Sequence, residues 1–214
     1  MKATYDRILK ERIIAVIRGI SSGHMLSAVR ALTEGGIVCV EVTFDPGDEE
    51  KSLDTLKSLA MLKQEFGAAI TLGAGTVLTT QHVRDAAHAG ATYIVSPGAD
   101  QAVIAETKKL GLLSMPGAMT PTEILNAWEW GADIIKLFPA SSLGTDYIRS
   151  IMGPIHHIPM FAVGGVDASN AQSYLAAGCA GVCAGGNLAD KKRIEADDFE
   201  AIRTLAQAYR AALG

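Results

Sequence analysis

Short apolar segments recur along the chain, and a glycine often precedes them. Eight of these segments have cores of four to seven residues, rich in Val, Ile or Leu, without a regular alternation of apolar and polar positions. They are IIAVIR (13–18), GIVCVEVT (36–43), AITLGAGT (69–76), ATYIVSP (91–97), GLLSMPG (111–117), DIIKLFP (133–139), PMFAVGG (159–165) and AGVCAGG (180–186). Parallel strands that are covered on both faces have this pattern, so we predict eight of them.

Segments with helical spacing lie between the predicted strands. We predict helices over 23–32, 49–66, 80–89, 101–110, 121–130, 145–152, 169–177 and 198–213, together with a short N-terminal helix. The clearest helix start is TPTEIL, where Thr120 is the cap, Pro121 opens the first turn and Glu123 stands at the third position. Helices should end at Gly35, Gly90, Gly111, Gly131 and Gly178.

Strict alternation of strand and helix predicts right-handed crossovers and a parallel sheet. Eight such units favour an α/β fold of the closed (β/α)₈ type, the TIM barrel, with short loops because the chain has only 214 residues. The alternative is an open doubly wound sheet, but no G-x-G-x-x-G motif opens the first crossover. No linker or low-complexity tract interrupts the pattern, so we expect one domain over residues 1–214.

Composition and charge narrow the classes of partner. Apolar residues make up 49% of the chain and charged residues 20%, which is a globular composition. The net charge of −4 argues against a nucleic acid or an anionic membrane as partner, although a local patch could hold one phosphate. No segment is long enough for a signal peptide core or a spanning helix. The three cysteines lie in apolar stretches, which predicts buried, reduced thiols in a cytoplasmic protein.

The chemistry of such a barrel lies at the C-terminal ends of its strands. Every predicted strand ends in a polar residue, a glycine or a proline. The residues at these strand ends are Arg18, Glu41, Thr43, Thr76, Ser96, Pro97, Pro116, Lys136 with the aromatic Phe138, Gly164, Gly165, Gly185 and Gly186. We therefore expect a polar site at this end of the barrel.

Lys136 and Glu41 are charged residues within apolar strands. The two could form a buried ion pair, but such a pair adds little stability relative to apolar packing. Desolvation lowers the pKa of a lysine and leaves more of it as the free amine, the nucleophile that forms an imine with a carbonyl. The iminium then serves as the electron sink for carbon–carbon bond cleavage. Glu41 is the only strand carboxylate among apolar neighbours and is the candidate acid/base group.

Two glycine pairs end the last two predicted strands, Gly164–Gly165 and Gly185–Gly186. Loops at these positions often bind phosphate through backbone N–H groups, and paired glycines let the backbone approach an anion closely. Asn187 could add a side-chain donor. Either pair alone could also simply mark a turn. Together they predict a phosphate site.

These segments resemble a known family. VEVTF, LGAGTV, IVSPG, SMPGAMTPTE, IIKLFPA and the two GG motifs look like the 2-keto-3-deoxy-6-phosphogluconate (KDPG) / 4-hydroxy-2-oxoglutarate (KHG) aldolase family, in family order from about residue 13 to residue 188. The resemblance implies a class I aldolase on a (β/α)₈ barrel, trimeric and independent of metal or another cofactor. Its substrate would be a small phosphorylated 2-keto acid.

The resemblance also implies roles for individual residues. Lys136 would form the Schiff base, Glu41 would move protons through water, and Thr76 would hold the pyruvyl carboxylate. The substrate pocket would further include Thr43, Pro97, Pro116 and Phe138. The phosphate would be bound by Gly164, Gly165, Gly185 and Gly186.

Three positions depart from the commoner family pattern. Many members carry a carboxylate-clamping arginine where this chain has Asp45, so Arg18 becomes the candidate cation. Many also have threonine where Val163 stands and serine where Asn187 stands. The motifs IRGI and FAVGGV look more like the branch that acts on the galactonate-derived epimer. The preferred epimer therefore stays open.

Two other functions share the predicted phosphate loops. One is a barrel isomerase, epimerase or phosphosugar transferase, and the other is a phosphosugar sensor without turnover. The first does not require a lysine inside the sixth strand. Imine trapping distinguishes the aldolase from the first, and an assay of pyruvate release distinguishes it from the second.

Overall fold

The computed structural model describes all 214 residues, 1–214, and contains nine strands that pair in parallel throughout. The strands are β1 Ile13–Ile17, β2 Cys39–Thr43, β3 Thr71–Gly75, β4 Tyr93–Val95, β5 Leu113–Met115, β6 Gly117–Ala118, β7 Ile135–Leu137, β8 Met160–Val163 and β9 Gly181–Ala184. Their order in the sheet is β5-β4-β3-β2-β1-β9-β8-β7-β6. Since β5 and β6 are consecutive in the chain, the sheet forms a barrel, which confirms the predicted fold class.

The nearly closed barrel turns at Pro116, which separates β5 from β6. β5 pairs with β4, and β6 pairs with β7, so the predicted fifth strand contributes one half to each neighbour. Proline has no N–H to donate to a ladder, which explains the interruption at this residue. The eight predicted strands are therefore all present, with the fifth divided in two.

Ten helices accompany the strands. They are α1 Lys2–Glu11, α2 Ser22–Glu34, α3 Glu49–Phe66, α4 Thr80–His88, α5 Gln101–Lys109, α6 Pro121–Glu129, α7 Ala140–Ile155, α8 Ala171–Ala176, α9 Lys191–Glu195 and α10 Phe199–Leu213. The predicted capping box at Thr120 and Glu123 is present, with Pro121 in the first turn. None of the helices has both the length and the apolarity needed to cross a bilayer.

The helix predictions were wrong in two details. α7 begins at Ala140 rather than at 145, with a non-helical kink at Gly144. α9 was not predicted, because its five residues are too few to show a helical period. The helix end predicted at Gly35 is confirmed, since Gly35 is the C-cap of α2; it has a negative φ, and the left-handed residue of this turn is Gly36, with φ of 91°. A glycine is required at position 35 because there is no room for a side chain: a Cβ there would meet Ala206 of α10.

Two apolar clusters make up the core. The larger lies between the sheet and the surrounding helices, and the smaller fills the barrel interior. The interior cluster includes Cys39 of β2, Tyr93 of β4 and Ile8 of α1, which all have fully buried side chains. Because side chains alternate along a strand, Glu41 shares the inward face of β2 with Cys39. A charged side chain thus stands above an apolar interior.

Candidate active site

A cavity of about 500 Å³ opens at the C-terminal ends of the strands. Eleven of the fourteen predicted site residues line it: Arg18, Thr76, Pro97, Lys136, Phe138, Val163, Gly164, Gly165, Gly185, Gly186 and Asn187. Residues from β1, β7, β8 and the loops after β3, β4 and β9 are thus brought together from across the chain. Carboxyl ends of parallel strands meet at one face of a barrel, which is why distant motifs converge here.

Thr43 and Pro116 do not line this cavity. Thr43 borders a smaller one of about 290 Å³, on the other side of Arg18, and its buried Oγ1 makes no hydrogen bond. Pro116 is buried in the barrel wall, where its carbonyl oxygen accepts a hydrogen bond from the backbone N–H of Lys136 at 2.9 Å. It therefore supports the strand that carries the lysine.

Lys136 is almost buried, with 6% of its surface exposed, and lies in the middle of β7. Its Nζ stands 4.9 Å from the centre of the Phe138 ring. A lysine whose ammonium faces an aromatic ring and an open cavity has room for a carbonyl compound to approach it. The neighbouring backbone is fixed by β6 and β8, which pair with β7 on either side.

Glu41 lies just below the cavity and is 1% exposed. Burial raises the pKa of its carboxyl above the ordinary 4.5, and the positive charges of Lys136 and Arg18 partly oppose this rise. Its Oε1 makes no hydrogen bond, to Lys136 or to any other group. A carboxylate held by a saturated ion pair would have its oxygens bound, so the arrangement favours a proton-transfer group over a structural ion pair.

The position of Glu41 depends on the neighbouring strand. A Cβ at Gly75 of β3 would overlap the carboxylate and Cγ of Glu41. A Cβ at Gly73, on the same strand, would instead overlap the ring of Tyr93. The two glycines of the LGAGT motif therefore leave space for different neighbours, and only Gly75 leaves space for Glu41.

Arg18 and Thr76 form a polar pair at one side of the cavity. Arg18 Nη2 donates to Thr76 Oγ1 at 3.0 Å, and the guanidinium remains exposed to solvent. Thr76 has a φ of 57°, a left-handed conformation that a β-branched residue rarely adopts and that is often found at functional sites. Asp45 lies outside this cavity, 3.5 Å from Lys51 Nζ. The pair can bind a carboxylate between guanidinium and hydroxyl.

The two glycine pairs supply unpaired backbone donors. The N–H groups of Gly164, Gly165, Gly186 and Asn187 bond to no protein acceptor. Gly164 and Gly165 have φ of 99° and 71°, which only glycine adopts readily. The side chain of Asn187 uses an amide hydrogen to bond the carbonyl of Val166 at 3.1 Å, so it links the two loops. These donors suit a phosphate.

Three cavity residues escaped the sequence prediction: Val16, Val166 and Cys183. Val16 and Cys183 precede the strand ends, and only their register in the barrel shows that they reach the cavity. No group of three or more His, Cys, Asp or Glu side chains is arranged to hold a metal ion. The cavity is thus built from a lysine, a carboxylate, a guanidinium, hydroxyl and backbone N–H donors and apolar walls.

A parallel barrel with a buried lysine and an unpaired carboxyl beside an open cavity defines an enzyme of the aldolase type, a carbon–carbon lyase. The family model described as KDPG and KHG aldolase matches residues 5–205. The chain belongs to this family.

Individual relatives agree with the family match. The chain is 37% identical to a probable 2-dehydro-3-deoxy-6-phosphogalactonate aldolase of Rhizobium meliloti, over 98% of each protein. It is 33% identical to the 2-dehydro-3-deoxy-phosphogluconate aldolase of Treponema pallidum, over 97% of this chain and 96% of the relative. A solved KDPG aldolase from Legionella pneumophila, with pyruvate captured as a covalent carbinolamine, superposes with a TM-score of 0.86 at 26% identity, covering 96% of this chain and 97% of the other.

Proposed function

We propose that this protein cleaves a 2-keto-3-deoxy-6-phospho sugar acid into pyruvate and glyceraldehyde 3-phosphate through a Schiff base on Lys136. The observation that carries the proposal is a nearly buried lysine at the cavity floor beside a buried carboxyl with an unbonded oxygen. Cleavage of 4-hydroxy-2-oxoglutarate to pyruvate and glyoxylate is a second activity of the same site, since the substrate shares the pyruvyl end.

The reaction begins when the free amine of Lys136 attacks the C2 carbonyl and water leaves, which gives an iminium. The C3–C4 bond then breaks, and its electron pair moves toward the iminium nitrogen to form an enamine. Glu41 takes the proton of the C4 hydroxyl, through water, so that the aldehyde can leave. The enamine is protonated at C3, and hydrolysis releases pyruvate and restores the amine.

The two ends of the substrate are bound by different groups. Arg18 and Thr76 hold the C1 carboxylate, since a guanidinium can grip a carboxylate with two parallel hydrogen bonds. The unpaired N–H groups of the glycine loops hold the C6 phosphate. Pro97, Phe138 and Val163 form the apolar walls between them. Burial raises the pKa of the Glu41 carboxyl above its ordinary 4.5, which makes it a stronger base than an exposed carboxylate.

The galactonate-derived epimer is the better-supported substrate. Val163 lines the cavity beside the phosphate loops and is apolar, so it can give no hydrogen bond to a C4 hydroxyl. Relatives of both names match over the whole chain, and identity to the probable phosphogalactonate enzyme is 37% against 33% for the phosphogluconate enzyme. We therefore propose activity on both epimers with a preference for the galactonate-derived one.

The active form is proposed to be a homotrimer in which each chain, residues 1–214, forms one complete barrel. The support is the family resemblance. Light scattering of the purified protein tests this assembly: a mass near three times 22.4 kDa is expected, and a monomeric mass would contradict it.

A direct test measures pyruvate release from the two 6-phosphate epimers and from 4-hydroxy-2-oxoglutarate, with and without a chelator. We expect turnover of all three substrates, fastest with the galactonate-derived epimer, and no effect of the chelator because the iminium is the electron sink. Binding without pyruvate release would favour a sensor. Isomerised or epimerised product without pyruvate would favour an isomerase.

A further inference from the structure

The carbonyl oxygens of the loop after β8, residues 164–166, all accept hydrogen bonds from other parts of the protein. Gly164 O accepts from the backbone N–H of Ser141 at 3.1 Å, and Gly165 O accepts from Asn170 Nδ2 at 2.9 Å. Val166 O accepts two bonds, from Asn187 Nδ2 at 3.1 Å and from Tyr209 Oη at 3.0 Å. Three consecutive carbonyls thus have protein donors, while the N–H groups of residues 164–166 have no protein acceptor.

Because the carbonyls of this loop are bound, the direction of its free N–H groups is fixed. A peptide unit is planar and trans, so the N–H of one residue points opposite to the carbonyl of the residue before it. Holding Gly164 O therefore aims the N–H of Gly165, and holding Gly165 O aims the N–H of Val166. Glycine peptides rotate easily, because glycine tolerates both signs of φ. Without the outside donors this loop could turn its carbonyls toward the cavity.

Asn170 holds two successive peptides at once. Its Nδ2 binds Gly165 O, and its Oδ1 accepts the N–H of Asp167 at 2.9 Å. Tyr209, on α10, holds the end of the same loop from a position 43 residues further along the chain. It is 1% exposed, so its hydroxyl bonds within the protein interior. Neither residue lines the cavity.

We propose that Asn170 and Tyr209 are positioning residues of the phosphate subsite: Asn170 aims the N–H of Val166 at the substrate phosphate, and Tyr209 anchors the end of the loop that carries this N–H. Asn187 acts with them from the second glycine loop. This inference rests on the proposed function, because that function places the phosphate at this loop. The two residues act only through the loop, so they should affect phosphorylated ligands and leave the pyruvyl end unchanged. Preorganised donors of this kind bind an anion without a rearrangement on binding.

The variants are Asn170→Ala and Tyr209→Phe, each with a matched control. Ser169→Ala removes a side chain in the same turn that bonds only to Asp167, not to the loop carbonyls. Tyr93→Phe removes another buried tyrosine hydroxyl that donates to a backbone carbonyl, Val40 O at 2.7 Å, inside the barrel. The controls lose comparable contacts without releasing the loop. Thermal stability of all four proteins is measured beside activity.

The experiment measures the inhibition constant of inorganic phosphate, kcat/KM for the 6-phosphate substrate and for 4-hydroxy-2-oxoglutarate, and trapping of the pyruvate imine by borohydride. Asn170→Ala should weaken the binding of phosphate and of the 6-phosphate substrate by about 10-fold. Tyr209→Phe should weaken both by about 3-fold, and each change is on the usual scale for one hydrogen bond. Imine trapping and 4-hydroxy-2-oxoglutarate cleavage should stay unchanged, and both controls should bind phosphate normally.

The inference would be overturned if phosphate inhibition were unaltered in both variants. It would also be overturned if the control variants weakened phosphate binding equally. The same holds if kcat/KM for the unphosphorylated 4-hydroxy-2-oxoglutarate fell in parallel with kcat/KM for the 6-phosphate substrate. Failure of the proposed function has a different signature, because the wild-type protein would then form no pyruvate imine.

Discussion

The two ends of the cavity, which we propose to bind the pyruvyl group and the phosphate, carry different kinds of polar group. At the pyruvyl end the groups are side chains in or beside the barrel, and two of them, Lys136 and Glu41, are nearly buried. At the phosphate end the groups are neutral backbone donors on exposed glycine loops, held from behind by other residues. Buried charges are destabilising but reactive, whereas preorganised N–H groups bind an anion at little cost in stability. Chemistry and recognition are thus separated along the cavity.

Glu41→Gln should have the largest effect among the changes that leave the lysine in place. Gln keeps the size of the side chain but cannot accept the proton, so kcat should fall by about 10²–10⁴-fold. Pyruvate binding should change little. In the wild type, kcat should rise with pH through a carboxyl pKa above the usual 4.5, because burial raises that pKa and the base must be ionised. A kcat for Glu41→Gln close to that of the wild type would rule out a proton-transfer role.

Stability tests the same residue by a second route. A carboxyl whose pKa is raised in the folded state binds its proton more tightly there than in the unfolded chain. Its contribution is therefore present below pH 4.5 and is lost as the pH rises from 4.5 through the raised pKa. Urea unfolding should show that Glu41→Gln gains stability relative to the wild type over this window. A variant that loses stability instead would show that the charge is held by a structural pair.

Substitutions at the two glycines of β3 distinguish an effect on the position of Glu41 from an effect on core packing. Gly75→Ala should displace the carboxylate of Glu41 and lower kcat by about 10²-fold, within the range for loss of general acid–base catalysis. Gly73→Ala would instead meet the Tyr93 ring and should lower the unfolding temperature with a smaller effect on kcat. Combining Gly75→Ala with Glu41→Asp, which shortens the acid, should restore part of the stability. If the stability losses of Gly75→Ala and Glu41→Asp were simply additive in this double-mutant cycle, the contact between residues 75 and 41 would be contradicted.

Arg18→Lys tests the carboxylate end of the pyruvyl region. Lysine keeps the charge but cannot make two parallel hydrogen bonds, so pyruvate and every 2-keto acid substrate should bind about tenfold more weakly, or roughly 1.5 kcal/mol. The loss should be equal for phosphorylated and unphosphorylated substrates, because all share that end. Unaltered pyruvate affinity would exclude Arg18 from the carboxylate site.

Val163→Thr should give the smallest effect, at the boundary between the two regions. A hydroxyl there could donate to the C4 hydroxyl of one epimer, and a polar site rejects the wrong partner more sharply than an apolar one. The ratio of kcat/KM for the two epimers should move toward the gluconate-derived substrate by about 3-fold to 10-fold. Pyruvate binding serves as the control and should not change. A constant ratio would mean that epimer preference is determined elsewhere.

The sequence carries stronger signals for the proposed pyruvyl end than for the proposed phosphate end. Lys136 and Glu41 are visible as charges inside apolar strands, and the strand pattern places both at the same face of the barrel. The two glycine pairs are visible in the sequence and predict the loops that we propose to bind phosphate. The residues that hold those loops carry no such signal, because Asn170 and Tyr209 act through single contacts with backbone carbonyls. Such contacts depend on tertiary structure and leave no periodic pattern in the sequence.

Local backbone geometry and loop contacts could not be predicted from the sequence either. The left-handed φ of Thr76 contradicts its intrinsic preference and is imposed by its surroundings. The hydrogen bond by which Asn187 links the two loops also depends on tertiary structure and leaves no signal in the sequence. By contrast, α3 begins and ends where its helical period predicted, at Glu49 and Phe66.

The most direct test of the account is the site of covalent attachment of pyruvate. The protein is incubated with pyruvate and borohydride, digested, and mapped by mass spectrometry, with Lys136→Arg as the control. We predict one reduced adduct, on Lys136, formed in step with loss of activity and absent from the variant. An adduct on another lysine, or full loss of activity without any adduct, would contradict the central claim.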